Sequence, residues 1–283
     1  MFAFMTGLLV VIGMAIGYFT GSMWIGLYVM LGISIIINLA SYFGSKKMAL
    51  SANNVHLVTR EEEPRLYGIV ESLADRAGLP MPEVGISEVA MPNAFATGRS
   101  PKDAAVVATR PLLDLLTDEE LEGVMAHEMS HVKNRDILVM SVASTLASMI
   151  SFLARMGTYA AVLNGQNRNP AGIVILIIAD LTVPIAAALI QLGVSRSREY
   201  LADESGGRLT GRPMELANAL MKLERGCSSP NNNYDRDAYS SLWISSPKGL
   251  RVTSVMSNLF RTHPSTEDRI DRLRKLDQEL NGY

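Results

Sequence analysis

The stretch TDEELEGVMAHEMSHVKNRD, residues 117–136, decides how the rest of the chain is interpreted. It contains the pattern H-E-x-x-H, in which His127 and His131 are four residues apart and Glu128 follows the first histidine. Four residues make about one helical turn, so both imidazoles lie on one helix face and can bind one metal ion. Glu128 lies beside them, where it can act on a metal-bound water. Two imidazoles and a carboxylate suit zinc, which keeps an open position for water in catalytic sites.

The same stretch predicts where its helix begins. Thr117 can act as the N-cap, and Glu120, three residues later, completes a capping box. Because short matches to H-E-x-x-H also occur by chance, a polar helix face without a metal is the alternative. Asp136 follows His131 by five residues and is either a group that supports the site or a charge at the helix end.

A pair of carboxylates further along the chain strengthens the metal hypothesis. Glu199 and Asp203 are four residues apart and share one face if this segment is helical. One carboxylate can then bind the metal while the other orients a histidine ligand. The alternative is a solvated helix face that pairs with Arg196 and Arg198.

The charged residues are distributed very unevenly. The chain has 26 Lys and Arg and 28 Asp and Glu, yet none lies in residues 1–45 and only Arg155, Arg168 and Asp180 lie in residues 137–195. Since about 20 apolar residues span a bilayer, these two stretches predict two helical hairpins, or about four transmembrane helices. For the second hairpin a soluble core is the alternative, because Arg155 and Asp180 interrupt it.

The charged flanks predict the orientation in the membrane. An even number of spans places the two charged segments on one side, and Lys46, Lys47 and Arg196 directly follow apolar runs. The positive-inside rule therefore places both charged segments in the cytoplasm.

The chain thus divides into four segments. They are an N-terminal transmembrane hairpin (1–44), the first half of a catalytic domain (45–136), a second transmembrane hairpin (137–195) and the second half of the catalytic domain (196–283). Helices are predicted at 61–76, 194–209, 213–225 and 264–280, strands at 83–87, 94–97 and 104–109, and a long loop, a possible lid, at 227–260. The two charged halves must fold against each other.

Composition excludes several classes of function. The formal net charge is −2, and no large basic region is present to bind nucleic acid. The single cysteine, Cys227, cannot form an intramolecular disulfide, which is typical of a reducing compartment.

Taken together, these motifs resemble the HtpX-type membrane zinc metalloproteases of bacteria, relatives of the CAAX prenyl endopeptidases. The resemblance extends over essentially the whole chain. Besides H-E-x-x-H it includes the segments 91–98, 134–136, 197–203 and 262–264. One departure is Ser265, because a second proline commonly stands at that position in the family.

The resemblance implies an α+β, zincin-like (gluzincin) catalytic domain fused to a mostly α-helical membrane part. It implies a multi-pass endopeptidase of the cytoplasmic (inner) membrane that faces the cytoplasm. The implied role is stress-related quality control, with unfolded or unassembled membrane proteins as substrates. The lipid bilayer and other membrane proteases of quality control are the implied partners.

The resemblance also assigns residues to roles. It implies one Zn²⁺ per chain, with His127, His131 and Glu199 as ligands, Glu128 as the base and Asp203 supporting His127. It implies a substrate-binding edge at Asn93, Ala94 and Phe95, and a histidine near the cleft, His263. We consider His263 a candidate donor to the developing oxyanion, with a purely structural hydrogen bond as the alternative.

Two other classes of function were weighed. A catalytically silent membrane scaffold or metal sensor with a zincin fold would need no base, so the presence of Glu128 argues against it. A transporter that uses Arg155 and Asp180 is disfavoured, because only four short spans and no pair of broken helices are predicted.

Overall fold

The computed structural model describes residues 2–136, 139–140, 170–227 and 264–282. The chain forms two compact units, one made of residues 1–44 and 139–194 and the other of residues 45–138 and 195–283. Arg155, Arg168, His263 and the loop predicted at 227–260, apart from Cys227, lie outside the described residues.

The first unit contains the antiparallel pair made by α1 (Phe2–Thr20) and the apolar part of α2 (Met23–Ala52). The helices cross closely, because a Cβ placed on Gly13 would lie 2.3 Å from the carbonyl oxygen of Gly26. A polar contact joins them as well, since Ser34 Oγ donates to Thr6 Oγ1 at 2.6 Å. Among the described residues, the window Met23–Ala40 is the one stretch long and apolar enough to cross a membrane.

The second unit contains a four-stranded mixed sheet. Its strands are β1 (Val55–Leu57), β2 (Glu83–Ser87), β3 (Ala94–Gly98) and β4 (Ala104–Thr109), arranged in the order β1-β2-β4-β3. β2 and β4 are parallel, whereas β1 pairs antiparallel with β2 and β3 pairs antiparallel with β4. β3 therefore lies at an edge of this sheet.

Helices cover this sheet and complete the core. They are α3 (Pro64–Ala77), α4 (Arg110–Leu115), α5 (Asp118–Lys133), the end of α6 (Pro170–Thr210), α7 (Pro213–Cys227) and α8 (Thr266–Asn281). Fully buried core side chains come from α3, the sheet, α5, α7 and α8: Leu66, Leu73, Ile86, Leu121, Met125, Leu216, Leu223 and Leu273.

Local sequence explains where two of these helices begin and end. α3 ends at Gly78, which adopts φ +65° and donates its N–H to the carbonyls of Ala74 and Asp75. The predicted capping box of α5 is confirmed, because Thr117 Oγ1 accepts from Glu120 N at 3.3 Å and Glu120 Oε2 accepts from Thr117 N at 2.9 Å.

The predicted strands 83–87 and 104–109 are confirmed in full, and β3 is one residue longer than predicted. β1 was not predicted. The sequence suggested separate segments at 171–195 and 194–209, but α6 continues without a break from Pro170 to Thr210. The change from apolar to charged residues near residue 196 does not interrupt the helix. The helix predicted at 264–280 begins two residues later, at Thr266, because Ser265 Oγ caps it by accepting from Asp268 N at 3.1 Å.

Candidate metal centre

Three side chains from two helices converge on one point. The Nε2 atoms of His127 and His131, both on α5, are 3.1 Å apart. Glu199 of α6 places Oε1 3.5 Å from His131 Nε2 and Oε2 3.8 Å from His127 Nε2. The sequence pattern produces this arrangement directly, because the histidines are one helical turn apart.

The spacing of these atoms fits a metal ion. In a tetrahedral zinc site with bonds of about 2.1 Å, ligand atoms lie roughly 3.4 Å apart. Three candidate ligand atoms, one each from His127, His131 and Glu199, all lie within 4.8 Å of one another. His127 and Glu199 are buried, and His131 is half-buried. These three residues are therefore the ones that could hold zinc.

A carboxylate contacts the second nitrogen of each imidazole. Asp203 Oδ1 lies 2.9 Å from His127 Nδ1, and Asp136 Oδ2 lies 2.6 Å from His131 Nδ1. Such contacts favour a proton on Nδ1 and direct the Nε2 lone pair toward the metal position. Asp136 thus supports the site, which decides between the two interpretations left open by the sequence.

The carboxylates also influence the protonation of His131. Burial acts to lower the pKa of His131, but the hydrogen bond that it donates to Asp136 and the charges of Glu199 and Glu128 raise it to about 9. Burial acts to raise the pKa of Asp203, but the charge and hydrogen bonds of Arg269 hold it below its usual value.

An ion pair links Asp136 to the helix that carries Glu199. Arg198 Nε donates to Asp136 Oδ1 at 2.6 Å, and a second nitrogen of the same guanidinium contacts this oxygen too. Arg198 also donates to the carbonyl of Asn134 at 3.0 Å. Asp136 and Arg198 are 62 positions apart in the sequence, and this ion pair joins them next to the candidate ligands.

Arg269 of α8 was not anticipated from the sequence. Its side chain is 2% exposed and donates to both oxygens of Asp203, at 2.8 and 2.6 Å. It also lies 3.6 Å from Glu199 Oε2. A signal was present, because Arg269 falls on the helix face that carries the buried residues Ile270, Leu273 and Leu276.

Glu128 is buried next to the edge strand. Burial raises its pKa, although the charges of His127 and His131 oppose the rise. The backbone of Ala96 in β3 forms a hydrogen bond with the carboxylate. A carboxylate with a raised pKa accepts a proton more readily near neutral pH, which suits a general base.

The predicted substrate-binding residues lie at the start of β3. Asn93 donates its N–H to Thr109 Oγ1 and accepts from Thr109 N, both at 2.9 Å. Because antiparallel partners alternate, this pairing turns the backbone groups of Ala94 and Ala96 away from β4. The side chains of Asn93, Ala94 and Phe95 are themselves buried. A substrate at this edge would therefore meet backbone groups.

Hydrolysis of a peptide bond by a metal ion requires a base and a place for an extended chain beside that ion. The second unit places the three candidate metal ligands, the carboxylate of Glu128 and the edge strand β3 next to one another. The fold and the site thus define a metal-dependent peptidase.

Comparison with known proteins specifies the family. The model for peptidase family M48 matches residues 60–277, and the chain belongs to that family. It is similar to the "Protease HtpX homolog" of Pyrococcus furiosus, with 44% identity over 281 residues, 98% of this chain and 94% of the relative. The "Protease HtpX homolog" of Sulfurihydrogenibium sp. is 42% identical over 287 residues, 98% of this chain and 96% of the relative. The predicted resemblance is confirmed, and the protein is a metalloprotease.

A solved structure shares the fold. The crystal structure of S. mikatae Ste24p matches 94% of this chain with a TM-score of 0.61 at 23% sequence identity. This chain spans 62% of the length of that protein. The mixed sheet with its surrounding helices is thus an M48 peptidase fold.

Proposed function

We propose that this protein is a gluzincin-type, zinc-dependent endopeptidase that cleaves misfolded or unassembled membrane proteins. The observation that carries the proposal is the convergence of His127 Nε2, His131 Nε2 and the Glu199 carboxylate at 3.1 to 3.8 Å from one another. These atoms belong to ligand types that zinc prefers, at a spacing that zinc requires.

Each residue has a defined task in this reaction. His127, His131 and Glu199 would hold the zinc ion, which polarises water and the scissile carbonyl when bound. Glu128 takes a proton from the attacking water and delivers it to the leaving amine. Asp203 keeps His127 in the tautomer that presents Nε2, and Arg269 keeps Asp203 charged.

The edge strand supports the choice of substrate. An extended peptide can pair with the outward backbone groups of β3 at Ala94, next to Ala96, whose backbone is hydrogen-bonded to the carboxylate of Glu128. Pairing through the backbone gives affinity with little dependence on side chains. Unfolded chains offer such backbone, whereas folded proteins do not. The segment Asn93, Ala94 and Phe95 is therefore proposed as the substrate-binding edge.

His263 is proposed to donate a hydrogen bond to the oxyanion that develops on the scissile carbonyl. The support is its place in the sequence, six residues before the buried Arg269. A purely structural histidine would leave kcat unchanged when replaced by Gln, whereas the loss of an oxyanion donor lowers kcat about a hundredfold or more.

The location is proposed to be the cytoplasmic (inner) membrane, with about four spans and the catalytic halves 45–136 and 196–283 in the cytoplasm. The apolar window Met23–Ala40 supports membrane insertion. The lysines that follow it support the cytoplasmic orientation. Stress-related quality control, alongside other membrane proteases, is the proposed setting.

The test is metal removal and restoration. Protein purified in detergent is treated with a chelator and then supplied with zinc, magnesium or calcium, and cleavage of an unfolded reporter protein is measured. We expect cleavage to disappear with the chelator and to return with zinc but not with magnesium or calcium. Stoichiometric zinc without any cleavage would favour the alternative, a catalytically silent scaffold or metal sensor.

A further inference from the structure

A small pocket lies between the end of β3 and the last turn of α5. It is lined by residues 97–100, Ala104, His131, Val132 and Arg135, and its enclosed volume is about 20 Å³. Binding sites for whole small molecules generally measure about 300 to 1,000 Å³, so this pocket is a shallow surface depression that can receive only the end of a single side chain.

The position of the pocket connects it to the proposed active site. His131, a candidate zinc ligand, forms part of its wall, and residues 97 and 98 are the last two of the edge strand. A peptide paired with β3 beside Glu128 would place a nearby side chain at the opening. This step rests on the proposed function, since it requires a polypeptide at that edge.

The pocket is lined by two arginines, of which Arg99 is neutralised. Arg99 pairs with Asp103 at 2.6 Å, and Lys46 lies 2.9 Å from Glu83 and 3.4 Å from Asp103, so that two carboxylates balance these two cations. The hydrogen bond from Arg99 helps to hold the pKa of Asp103 below its usual value. The pocket lining itself contains no carboxylate in the described part of the chain.

Arg135 supplies a cation at the rim of this pocket. Its residue is exposed, and its side chain forms no ion pair or hydrogen bond with another residue in the described ranges. Its backbone adopts φ +54°, in the left-handed region that most residues avoid. This conformation turns the chain between the end of α5 and Asp136, and it fixes the place from which the guanidinium extends.

We propose that this pocket is a specificity subsite for an acidic side chain of the substrate, and that Arg135 determines the preference. A guanidinium binds a carboxylate through two parallel hydrogen bonds, which an amide of the same size cannot accept with equal strength. The protease would then add one acidic preference to otherwise unselective backbone binding.

The test compares glutamate with glutamine in a set of peptides. Each peptide contains one cleavable bond, and Glu, Gln or Lys occupies one of three positions on either side of it. The wild type is compared with Arg135→Asn and Arg135→Asp, since Asn and Asp tolerate the left-handed conformation. Lys133→Glu is the matched control, because Lys133 is exposed, lies two residues away and does not line the pocket.

We expect the wild type to show a kcat/KM about five- to tenfold higher for Glu than for Gln at one position, as a partly solvated charged hydrogen bond provides. Arg135→Asn should remove this preference and Arg135→Asp should shift it toward Lys, while Lys133→Glu keeps it. Equal cleavage of Glu and Gln peptides by the wild type, or a preference that survives in Arg135→Asn, would overturn the subsite. Cleavage of the Gln peptides tests the proposed endopeptidase activity by itself, because it does not depend on the subsite. A wild type that cuts no peptide would contradict both the endopeptidase activity and the subsite.

Discussion

Asp136 Oδ2 lies 2.6 Å from His131 Nδ1, on the side of the imidazole opposite the metal position. The carboxylate belongs to the turn after α5, which the left-handed Arg135 directs back toward the helix. Arg198, the neighbour of Glu199 in sequence, holds the same carboxylate from the other half of the unit. Asp136 therefore aligns His131 and also joins α5 and α6, the two helices that supply the three candidate metal ligands.

Replacing Asp136 by Asn should weaken metal binding. The amide keeps the size of the side chain but loses the charge that favours a proton on His131 Nδ1, so zinc affinity should fall about 10- to 100-fold. Competition with a coloured chelator measures the affinity. Asp118→Asn is the control, because that carboxylate pairs with Arg65 at the exposed start of α5. Equal affinities for Asp136→Asn and the wild type would contradict the positioning role.

Gly206 sets the distance between α5 and α6. A Cβ at this position would lie 2.9 Å from His127 N, a backbone atom that cannot move without the ligand. At Gly207 a Cβ would meet Leu276 at 2.8 Å and Pro213 at 2.9 Å instead. Both alanine variants should be less stable.

Gly206→Ala and Gly207→Ala should differ in zinc binding and in activity. We expect Gly206→Ala to lose at least about tenfold in kcat/KM, since displacements below 1 Å at a reacting centre are costly, and Gly207→Ala to retain activity at temperatures where it is folded. Similar losses in both variants would mean that general destabilisation, and not the position of His127, explains the effect.

Arg269 should be important for stability as well as for the site. Arg269→Met leaves the buried Asp203 without its charged partner, which should cost about 3 to 5 kcal/mol in the free energy of unfolding. Arg274→Met, which removes an exposed pair with Asp271, should cost at most about 1 kcal/mol. Denaturant titration in detergent measures both values.

A double variant tests the cause of this loss. If the uncompensated charge of Asp203 is responsible, Arg269→Met combined with Asp203→Asn should be more stable than Arg269→Met alone. A double variant that is no more stable would instead indicate that the packing of the arginine matters.

The capping box of α5 should contribute to stability without affecting chemistry. Thr117→Ala removes the oxygen that accepts from Glu120 N, at a cost of about 1 kcal/mol. Thr117→Ser keeps that oxygen and should behave like the wild type. Thermal unfolding measures both, and kcat should stay constant because Thr117 lies ten residues before His127.

The sequence was sufficient where one helix determines the outcome. The spacing of His127, Glu128 and His131 and the capping box at Thr117 follow from helical periodicity alone. The strands 83–87 and 104–109 were also predictable from short runs with strand-forming residues. Such features depend on neighbours in the chain.

What could not be predicted depends on contacts between distant segments. Arg269 reaches Asp203 across 66 positions, and Arg198 reaches Asp136 across 62. The place of Arg269 on the apolar face of α8 indicates that it is buried, but it does not indicate which carboxylate the arginine contacts. β1 was missed for the same reason, since its three residues form a strand only by pairing with β2.

Substitution of Glu128 tests whether this residue is the base of a zinc endopeptidase. Glu128→Gln and the wild type are purified in the same detergent, and the zinc content and the cleavage of an unfolded reporter protein are measured for both. We expect one zinc ion per chain in each protein and cleavage by the wild type alone. Undiminished cleavage by a Glu128→Gln variant that holds zinc would contradict this role of Glu128.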